Sequence, residues 1–536
     1  MGCEELIPPS IVAFDLQMLN RFRWVSCQLQ YLRHCLRQRI RRVLDELPDT
    51  LDETYDRTLE EIGKQNWEYA HRLFQCVAAA SRPLRVEELA EFLAFDFDTD
   101  STPTLREDWR EEDPAHAVRS TCSSLLILVD VDGSSVIQFA HFSVKEYLTS
   151  KRLAESKETI SRFYVSMTMA HTIIAQACLG ALLHLDERIT KDDLKRFPLA
   201  KYAAEYWLSH SRFQDVSPKI QDEMKRLFDP NNHHLSVWVW IHDPELGSGD
   251  SSSECPLRAR ATPLHYAAWC GLHDIVQFLI VERSQNVNAR GSVRGETPLG
   301  VASREGYSEV ARVLLKYGAD TETRDIHRYS PLEWSSARGH VEVIRVLLEN
   351  YADVNFLDEE KWTALHLLPQ REEVAVAVAR VLLQNGIDAN VKKANNETPL
   401  HMAESGGLVR LLLESGADPN ARDCNNRTPL HKAMTRTWES VDAAQVLLEN
   451  GADVNARDAE NQTPLHVASK GGYFDGVRLL LQHGTDIHLQ DDYGRTPFEK
   501  VAASASEPES EPEFVTTYQN VLKLLLEHGA KDHRTQ

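Results

Sequence analysis

The stretch TPLHKAMTRTWESVDAAQVLLENGADVNARD, from Thr428 to Asp458, decides the fold of the second half of the chain. Its outline, TPLHxA…LLxxGADxNxxD, returns from Thr262 to the end of the sequence. Each copy opens with Thr-Pro or a variant of that pair, and the opening residues are Thr262, Thr297, Ser330, Thr363, Thr398, Thr428, Thr463 and Thr496. Successive copies begin 30 to 35 residues apart. Such a period predicts a stack of similar units, each built from two short helices.

Local chemistry explains why each copy forms two helices. A threonine side chain can accept the proton of an unpaired amide at the helix start, and the proline behind it stands where no amide is needed. The second helix, as in VLLKYGAD, has one apolar face and ends at a glycine, where a left-handed backbone is wanted. These glycines are Gly318, Gly386, Gly416, Gly451, Gly484 and Gly529. One unit is too small to bury its apolar face alone, so stacked neighbours bury it for each other.

The TPLH motif with a period near 33 residues resembles the ankyrin repeat. The resemblance implies a mainly α-helical solenoid of about eight repeats over residues 251–533. It also implies that the hairpin tips and first helices line a concave surface that binds a protein partner.

Several copies depart from the pattern. Tyr351 replaces the glycine that ends the second helix of the third copy. Pro369 falls inside the first helix of the fourth copy and should shorten it. The fifth copy is three residues short, and SASEPESEPEF (504–514) in the last copy predicts an exposed acidic loop. We therefore expect the middle units to be the least regular part of the stack.

Histidines occupy the fourth place of the TPLH motif, where a catalytic or metal-binding role has to be weighed. They are His265, His366, His401, His431 and His466. A residue that returns with the architecture belongs to the architecture, so we interpret them as structural side chains that join neighbouring units. His233, His234 and His242 lack the cysteines or carboxylates that would complete a zinc site, and no metal site is predicted.

Candidate partner contacts lie at the hairpin tips and on outer positions of the first helices. Tryptophan, tyrosine and arginine are the residue types that most often supply binding energy in protein interfaces. On this basis we predict partner contacts at Trp269, Arg304, Tyr329, Arg338 and Trp362. For Trp269 and Trp362, packing against neighbouring units is an equally good explanation, because both lie beside irregular units. Tyr329 is better explained by binding.

The first half of the chain begins with a helical pattern. Apolar residues at three- and four-residue steps run from Val25 to Leu47, and five arginines between residues 33 and 42 cover the rest of this helix. It fits a core helix with a basic face or, as the alternative, a helix on a membrane surface. Further helices follow, and SSLLILVDVDGSSVIQFAHFSVKEYL (123–148) predicts a strand, a turn at Asp132-Gly133, a strand and a helix. This order outlines a winged-helix domain.

Four stretches in sequence order, FRWVSCQLQYLRHC, LPDTLDETYDRTLEEI, RPLRVEELAEFLA and VIQFAHFSVKEYL, resemble the winged-helix region of fungal NACHT–ankyrin proteins. YAAEYWLSHSRF and LFDPNNHHLSVWVWIHD resemble the helical connector of these NLR-like signalling ATPases, which are also called STAND proteins. The resemblance implies a tail at 1–20, a winged-helix domain at 21–155, a helical connector at 156–250 and the repeats at 251–533.

In that family, a nucleotide-binding domain with a Gly-rich phosphate loop precedes the winged helix. This sequence contains no GxxxxGK[ST], and IGKQNW (62–67) lacks the first glycine and the hydroxyl. LLILVDVD (125–132) imitates a magnesium-binding strand, but its place after the helices fits the hairpin better. We expect a member without the ATPase core: either a truncated protein whose true start lies upstream, or a free-standing adaptor.

His141 keeps a link to nucleotide chemistry. The family resemblance implies that the histidine of a FxHxxxxEF helix touches the phosphate of bound ADP, and FAHFSVKEYL resembles that helix with its glutamate one residue nearer. An imidazole can donate such a hydrogen bond near neutral pH. Two interpretations stay open, which are nucleotide sensing with a NACHT domain supplied in trans, and a structural remnant.

Composition narrows the function classes. The chain has 536 residues, of which 26% are charged, and a net charge of −22, which disfavours a general nucleic-acid binder. The nine cysteines are scattered, no signal peptide is visible, and no run of about 18 apolar residues predicts a membrane span. We expect a cytoplasmic protein, with the nucleus as the alternative location.

The leading hypothesis is a non-enzymatic scaffold or adaptor that recognises a protein partner through its ankyrin repeats in intracellular signalling or surveillance. The alternative is the C-terminal part of a split or truncated NACHT ATPase in which His141 senses ADP. DNA binding through the winged helix is a third hypothesis, and the acidic composition argues against it. The sequence lacks the motifs of independent hydrolases, metalloproteases and kinases, so no enzyme activity and no cofactor are predicted.

Overall fold

The computed structural model describes residues 50–97, 102–121, 125–131, 133–247, 255–256, 259–357, 360–435, 441–505 and 512–530. The predicted tail at 1–20 and the helix predicted from Val25 to Leu47 lie outside these residues. The chain forms two compact units, Met1–Ala259 and Arg260–Gln536.

From residue 50 onward, the described part of the N-terminal unit contains short helices. Thr50 accepts a hydrogen bond from the amide of Glu53 at 3.2 Å and so caps the helix that begins at Leu51. The helices that precede the hairpin are α1 (Leu51–Glu60), α2 (Trp67–Ala79), α3 (Val86–Glu91) and α4 (Pro114–Thr121). Leu59 of α1 and Leu73 of α2 are almost fully buried, so these helices contribute to one apolar core.

Short antiparallel strands complete the winged helix. The strands are β1 (Leu84–Arg85), β2 (Phe95–Asp96), β3 (Thr104–Leu105), β4 (Leu126–Val131) and β5 (Ser134–Phe139). Strand β5 lies between β1 and β4 in one sheet, and β2 pairs with β3 in another. Gly133 has φ 79°, the left-handed conformation that the tight turn between β4 and β5 needs. Helix α5 (Phe142–Leu148) follows, which confirms the winged-helix order and the hairpin interpretation of LLILVDVD.

Helix α6 (Lys151–Ala154) lies at the end of the range predicted for the winged helix. The helices within 156–250, the range predicted for the connector, are α7 (Glu158–Ser161), α8 (Met167–His184), α9 (Leu199–Ser211), α10 (Gln221–Phe228) and α11 (His234–Ile241). Trp207, Phe228 and Trp238 pack edge to face with ring centroids 5.4 to 6.3 Å apart. The indole N–H of Trp238 donates to the carbonyl of Ala204 at 2.9 Å, so its buried polar atom is satisfied.

Helix α8 has the length and apolar composition that would let a helix cross a membrane, and within the described residues no other helix does. The sequence alone predicts no such helix, because His171, Thr172 and Gln176 interrupt its apolar run. In the structure, α8 packs against α2, α9 and α10, and 56% of it is buried inside the unit. A core helix shows the same composition, since it is apolar on most sides.

The C-terminal unit is a stack of helix pairs. Its helices are α12 (Pro263–Cys270), α13 (His273–Val281), α14 (Pro298–Glu305), α15 (Ser308–Lys316), α16 (Pro331–Arg338), α17 (Val341–Glu349), α18 (Glu372–Gln384), α19 (Pro399–Met402), α20 (Gly406–Glu414), α21 (Pro429–Ala433), α22 (Val441–Glu449), α23 (Pro464–Lys470), α24 (Phe474–Gln482), α25 (Pro497–Ser504) and α26 (Pro512–Glu527). First helices pack on first helices and second helices on second helices, which gives two layers. The predicted mainly α-helical solenoid is confirmed.

The middle units are the least regular, as the sequence predicts. The first helix of the fourth unit is reduced to one 3₁₀ turn, Ala364–His366, ahead of Pro369. Helices α19 and α21 of the next two units have four and five residues. The predicted acidic loop at 504–514 is too long, because α25 extends to Ser504 and α26 begins at Pro512.

Tyr351 is expected to strain the end of α17, and Tyr351→Gly should stabilise the C-terminal unit by about 1 kcal/mol. Tyr351 has φ 65° where six other units carry glycine, and its side chain is 95% exposed. The substitution therefore relieves a left-handed backbone without removing buried contacts. The midpoint of urea unfolding, followed by circular dichroism, measures the gain.

Gly318→Ala is the matched control for Tyr351→Gly. Gly318 ends α15 with φ 86°, and a Cβ atom there would meet nothing within 4 Å. Only backbone strain changes, so this variant should lose about as much stability as Tyr351→Gly gains. A destabilised Tyr351→Gly protein would show instead that the tyrosine makes a stabilising contact.

Candidate partner-binding surface

A ladder of histidines positions the hairpin tips of the repeats. In four units the Nε2 atom of the TPLH histidine lies 3.0–3.1 Å from a backbone carbonyl of the next unit. The pairs are His265 with Glu296, His401 with Arg427, His431 with Gln462 and His466 with Arg495. Each acceptor is the tip residue that precedes the next Thr-Pro step. The structural interpretation of these histidines is therefore confirmed.

The other ring nitrogen fixes the tautomer. A carbonyl can only accept, so Nε2 carries the proton and Nδ1 is an acceptor. The hydroxyls of Thr398, Thr428 and Thr463 lie 2.9 Å from Nδ1 and donate to it. In these units the threonine thus bonds to histidine rather than to a helix amide. The predicted amide cap is found at Thr297 and Ser330, whose units lack the histidine.

Burial keeps the ladder neutral. Desolvation is the largest effect on the pKa values of His265, His401, His431 and His466, and it lowers all four. His366 departs from the ladder, because its Nε2 forms no hydrogen bond of good geometry within the described residues. Burial lowers the pKa of His366 to about 4. In the irregular fourth unit the tie to the next tip is thus weaker: the backbone of Glu397, the equivalent tip residue, still opposes the lowering of the His366 pKa.

Arg304 is a predicted partner contact that the structure places inside the stack. Only 8% of its side chain is exposed. Its Nε atom donates to Oε1 of Glu296 at 2.8 Å, and a second nitrogen donates to Oε2 at 3.2 Å. It also pairs with Glu305. Such a bidentate contact joins a hairpin tip to the end of α14, so the guanidinium has a structural role. A binding role for Arg304 stays a prediction.

Tyr329 and Arg338, two other predicted contacts, meet at a third residue, Trp334. The ring centroids of Tyr329 and Trp334 lie 4.9 Å apart, and the guanidinium carbon of Arg338 lies 6.0 Å from the indole centroid. Arg294, from the preceding unit, approaches the same indole at 5.4 Å. We call Arg294, Tyr329, Trp334 and Arg338 the Trp334 cluster. It combines two cations and two aromatic rings on the tips and first helices of repeats two and three.

Asp325 holds the Trp334 cluster in place. Its Oδ2 atom accepts from the indole N–H of Trp334 at 3.1 Å, and its Oδ1 accepts from the amide of Tyr329 at 2.9 Å. Helix α16, which carries Trp334, starts with a capping box in which Ser330 and Glu333 bond to each other's amides. The aromatic side chains are therefore fixed before any partner arrives, which favours binding.

Sequence reasoning missed Trp334 and Arg294. Trp334 stands four residues after the opening serine, a place that holds Tyr266, Val301 and Lys432 in other units. Listing the residue four places after the opening Thr or Ser of every unit would have revealed Trp334. Arg294 gives no comparable signal, because its contact with Trp334 spans two units.

The structure does not bring Trp269 or Trp362 to the Trp334 cluster. Trp269 is half-buried on α12. Trp362 is also half-buried; its indole N–H donates to Glu360 at 3.2 Å, and the Lys393 amine lies 4.3 Å from the ring centroid. Contact with Lys393 of the next unit fits the packing interpretation of Trp362. Its binding role, like that of Trp269, stays a prediction.

His141 is the N-cap of α5. Its Nδ1 atom lies 2.6 Å from Oγ of Ser143 and 3.3 Å from the Ser143 amide, and Ser143 Oγ also lies 2.9 Å from the hydroxyl of Tyr55. These contacts start the helix and attach it to α1, which is a structural task. Nucleotide sensing by His141 stays a prediction.

Protein-family models match both the N-terminal and the C-terminal part of the chain. Ankyrin-repeat models match residues 232–325, 327–359, 371–458 and 447–501. The second half of the chain consists of ankyrin repeats. A model described as GPI inositol-deacylase, winged helix domain, matches residues 55–161. The ankyrin and winged-helix parts of the expectation are confirmed.

Curated relatives match parts of the chain. The chain is 29% identical over 294 residues to the azaphilone pigments biosynthesis cluster protein L of Monascus ruber, which covers 52% of this chain and 61% of that protein. It is 24% identical to the vegetative incompatibility protein HET-E-1 of Podospora anserina over 36% of this chain, and 28% identical to mouse rabankyrin-5 over 35%. The chain spans 61% of the first relative and only 15–16% of the other two.

Proposed function

We propose that this chain is a non-enzymatic scaffold or adaptor that binds a protein partner through ankyrin repeats two and three. Ankyrin repeats in general mediate protein–protein binding, and the Trp334 cluster is the observation that carries the proposal. It presents aromatic and arginine side chains, the types that dominate interface energetics, on a rigid surface. The histidine ladder fixes tips elsewhere in the stack through backbone bonds.

Signalling or surveillance in the cytoplasm is the finer part of this proposal. The winged-helix motifs resemble those of NACHT–ankyrin signalling proteins, and the chain shares 24% identity with a vegetative incompatibility protein over 36% of its length. The motif resemblance supports a role in a NACHT-type pathway, with the ATPase domain supplied by another chain or by a longer form of this one. Imaging of a fluorescent fusion in living cells tests the location.

The test of the scaffold is partner capture by the full chain. We expect that proximity labelling in cells of the source organism, with Tyr329→Ala/Arg338→Ala against the unsubstituted chain, reveals proteins whose labelling falls at least about tenfold. Neither side chain is buried, so the double variant should keep the fold. Equal melting temperatures by circular dichroism check this.

Arg345→Ala/Arg380→Ala is the matched control for partner capture. These exposed arginines lie on the second helices α17 and α18, in the other layer of the stack. We expect this variant to label the same proteins as the unsubstituted chain. If all three chains label one identical set, the Trp334 cluster is not the binding surface.

A further inference from the structure

We propose that the Trp334 cluster binds an acidic segment of the partner protein, with carboxylates at Arg294 and Arg338 and an apolar side chain against the neighbouring tips. The inference rests on the proposed function and specifies the chemistry of the partner.

The charge state of the Trp334 cluster favours an anionic partner. Asp325 is engaged by Trp334, Glu296 by Arg304, and Glu333 by the amide of Ser330. Within the described residues, Arg294 and Arg338 form no ion pair with any carboxylate. Two cations at one indole, in a chain with net charge −22, therefore remain available for anionic groups. Guanidinium groups bind carboxylates in a bidentate geometry.

The apolar surface beside these cations favours an apolar side chain in the partner. Ile326 is 64% exposed and Val293 51% exposed. The amide of Ile326 donates to the carbonyl of Arg294 at 2.9 Å, so the tips of repeats two and three lie side by side. An apolar side chain of the partner can cover Ile326 while adjacent carboxylates reach the arginines. Acidic and apolar groups in one short segment satisfy both features at once.

A protein segment fits this surface better than a nucleic acid. Nucleic-acid binding needs many phosphate contacts, and the overall negative charge repels a long polyanion. The Trp334 cluster offers two available guanidinium groups between apolar tips, a size that suits a few residues of polypeptide. RNA and heparin are therefore competitors in the test rather than expected ligands.

Selection from a display library of random short peptides on the purified full chain tests the proposal. We expect the enriched peptides to be rich in Asp and Glu beside a Leu, Ile or Phe residue. Fluorescence anisotropy of synthetic peptides from the selection should show that Arg294→Gln/Arg338→Gln weakens binding at least about tenfold. Arg345→Gln/Arg380→Gln removes the same charge from the second-helix layer and should leave binding within about twofold.

The outcomes separate this inference from the proposed function. Peptides that bind the ankyrin repeats but are basic or neutral, or that ignore Arg294 and Arg338, would overturn the acidic partner and leave the scaffold intact. A failure to enrich any peptide would count against both. If RNA or heparin displaces the peptides at equal charge concentration and physiological salt, the surface is a general anion site. The proposal of an acidic protein segment is then wrong. Displacement by the cognate acidic peptide alone would support it.

Discussion

Arg304→Ala is expected to destabilise the ankyrin repeats by about 3–5 kcal/mol, because it leaves the buried carboxylate of Glu296 without its partner. Glu296 is 2% exposed, so water cannot replace the guanidinium. The loss should appear as a lower midpoint of urea unfolding followed by circular dichroism. Repeat arrays can unfold in parts, so a separate early transition is an equally informative form of the result.

Two further variants distinguish a buried ion pair from charge loss in general. Arg312→Ala removes an arginine that pairs with Glu342 and Glu349 on the surface, and it should change stability by less than about 1 kcal/mol. Arg304→Met/Glu296→Leu removes both buried charges and should recover most of the loss. If Arg304→Ala behaves like Arg312→Ala, the guanidinium does not hold the stack, and a partner contact becomes the better explanation.

Acidification from pH 7 to pH 5 is expected to destabilise the ankyrin repeats by at least about 2 kcal/mol, the share of His366 alone. The ladder histidines have folded-state pKa values below the unfolded value of about 6.5. Between the two values the unfolded chain binds more protons, so stability is fully present above about pH 6.5 and is lost as the pH falls towards the folded pKa. His366, with a pKa of about 4, contributes about 2 kcal/mol of this loss at pH 5.

The midpoint of urea unfolding at pH 7, 6 and 5 measures this effect. Glu397 and Asp491, whose lysine and arginine partners help to lower their pKa values to about 2, lose their contribution only below about pH 4 and do not interfere. His366→Asn should flatten the pH dependence, because an amide oxygen can accept from Thr363 without titrating. His273→Gln changes a half-exposed histidine outside the ladder, so this variant should show the same pH dependence of stability as the unsubstituted chain. Equal stability at pH 7 and pH 5 would contradict the neutral ladder.

The two arginines on first helices show where sequence reasoning reached its limit. Arg304 lies seven residues after its opening threonine, and Arg338 lies eight residues after its opening serine. One residue rotates a side chain by about 100° around a helix axis. Because of that rotation, the Arg304 guanidinium is paired with Glu296, whereas the Arg338 guanidinium is exposed beside Trp334. The residue type predicts interface chemistry at both positions, and the fold decides which of them is accessible.

The sequence by itself determined the repeat period, the helix starts, the wing hairpin and the structural role of the TPLH histidines. These features depend on neighbours close in the chain or on a spacing that returns regularly, so one pass along the sequence contains their cause. Only the tertiary structure decided that Arg294 meets Trp334, that Arg304 is buried, and that His366 leaves the ladder. Each of these features depends on how one repeat lies against the next. The packing between repeats sets that arrangement, and the residues of a single unit do not.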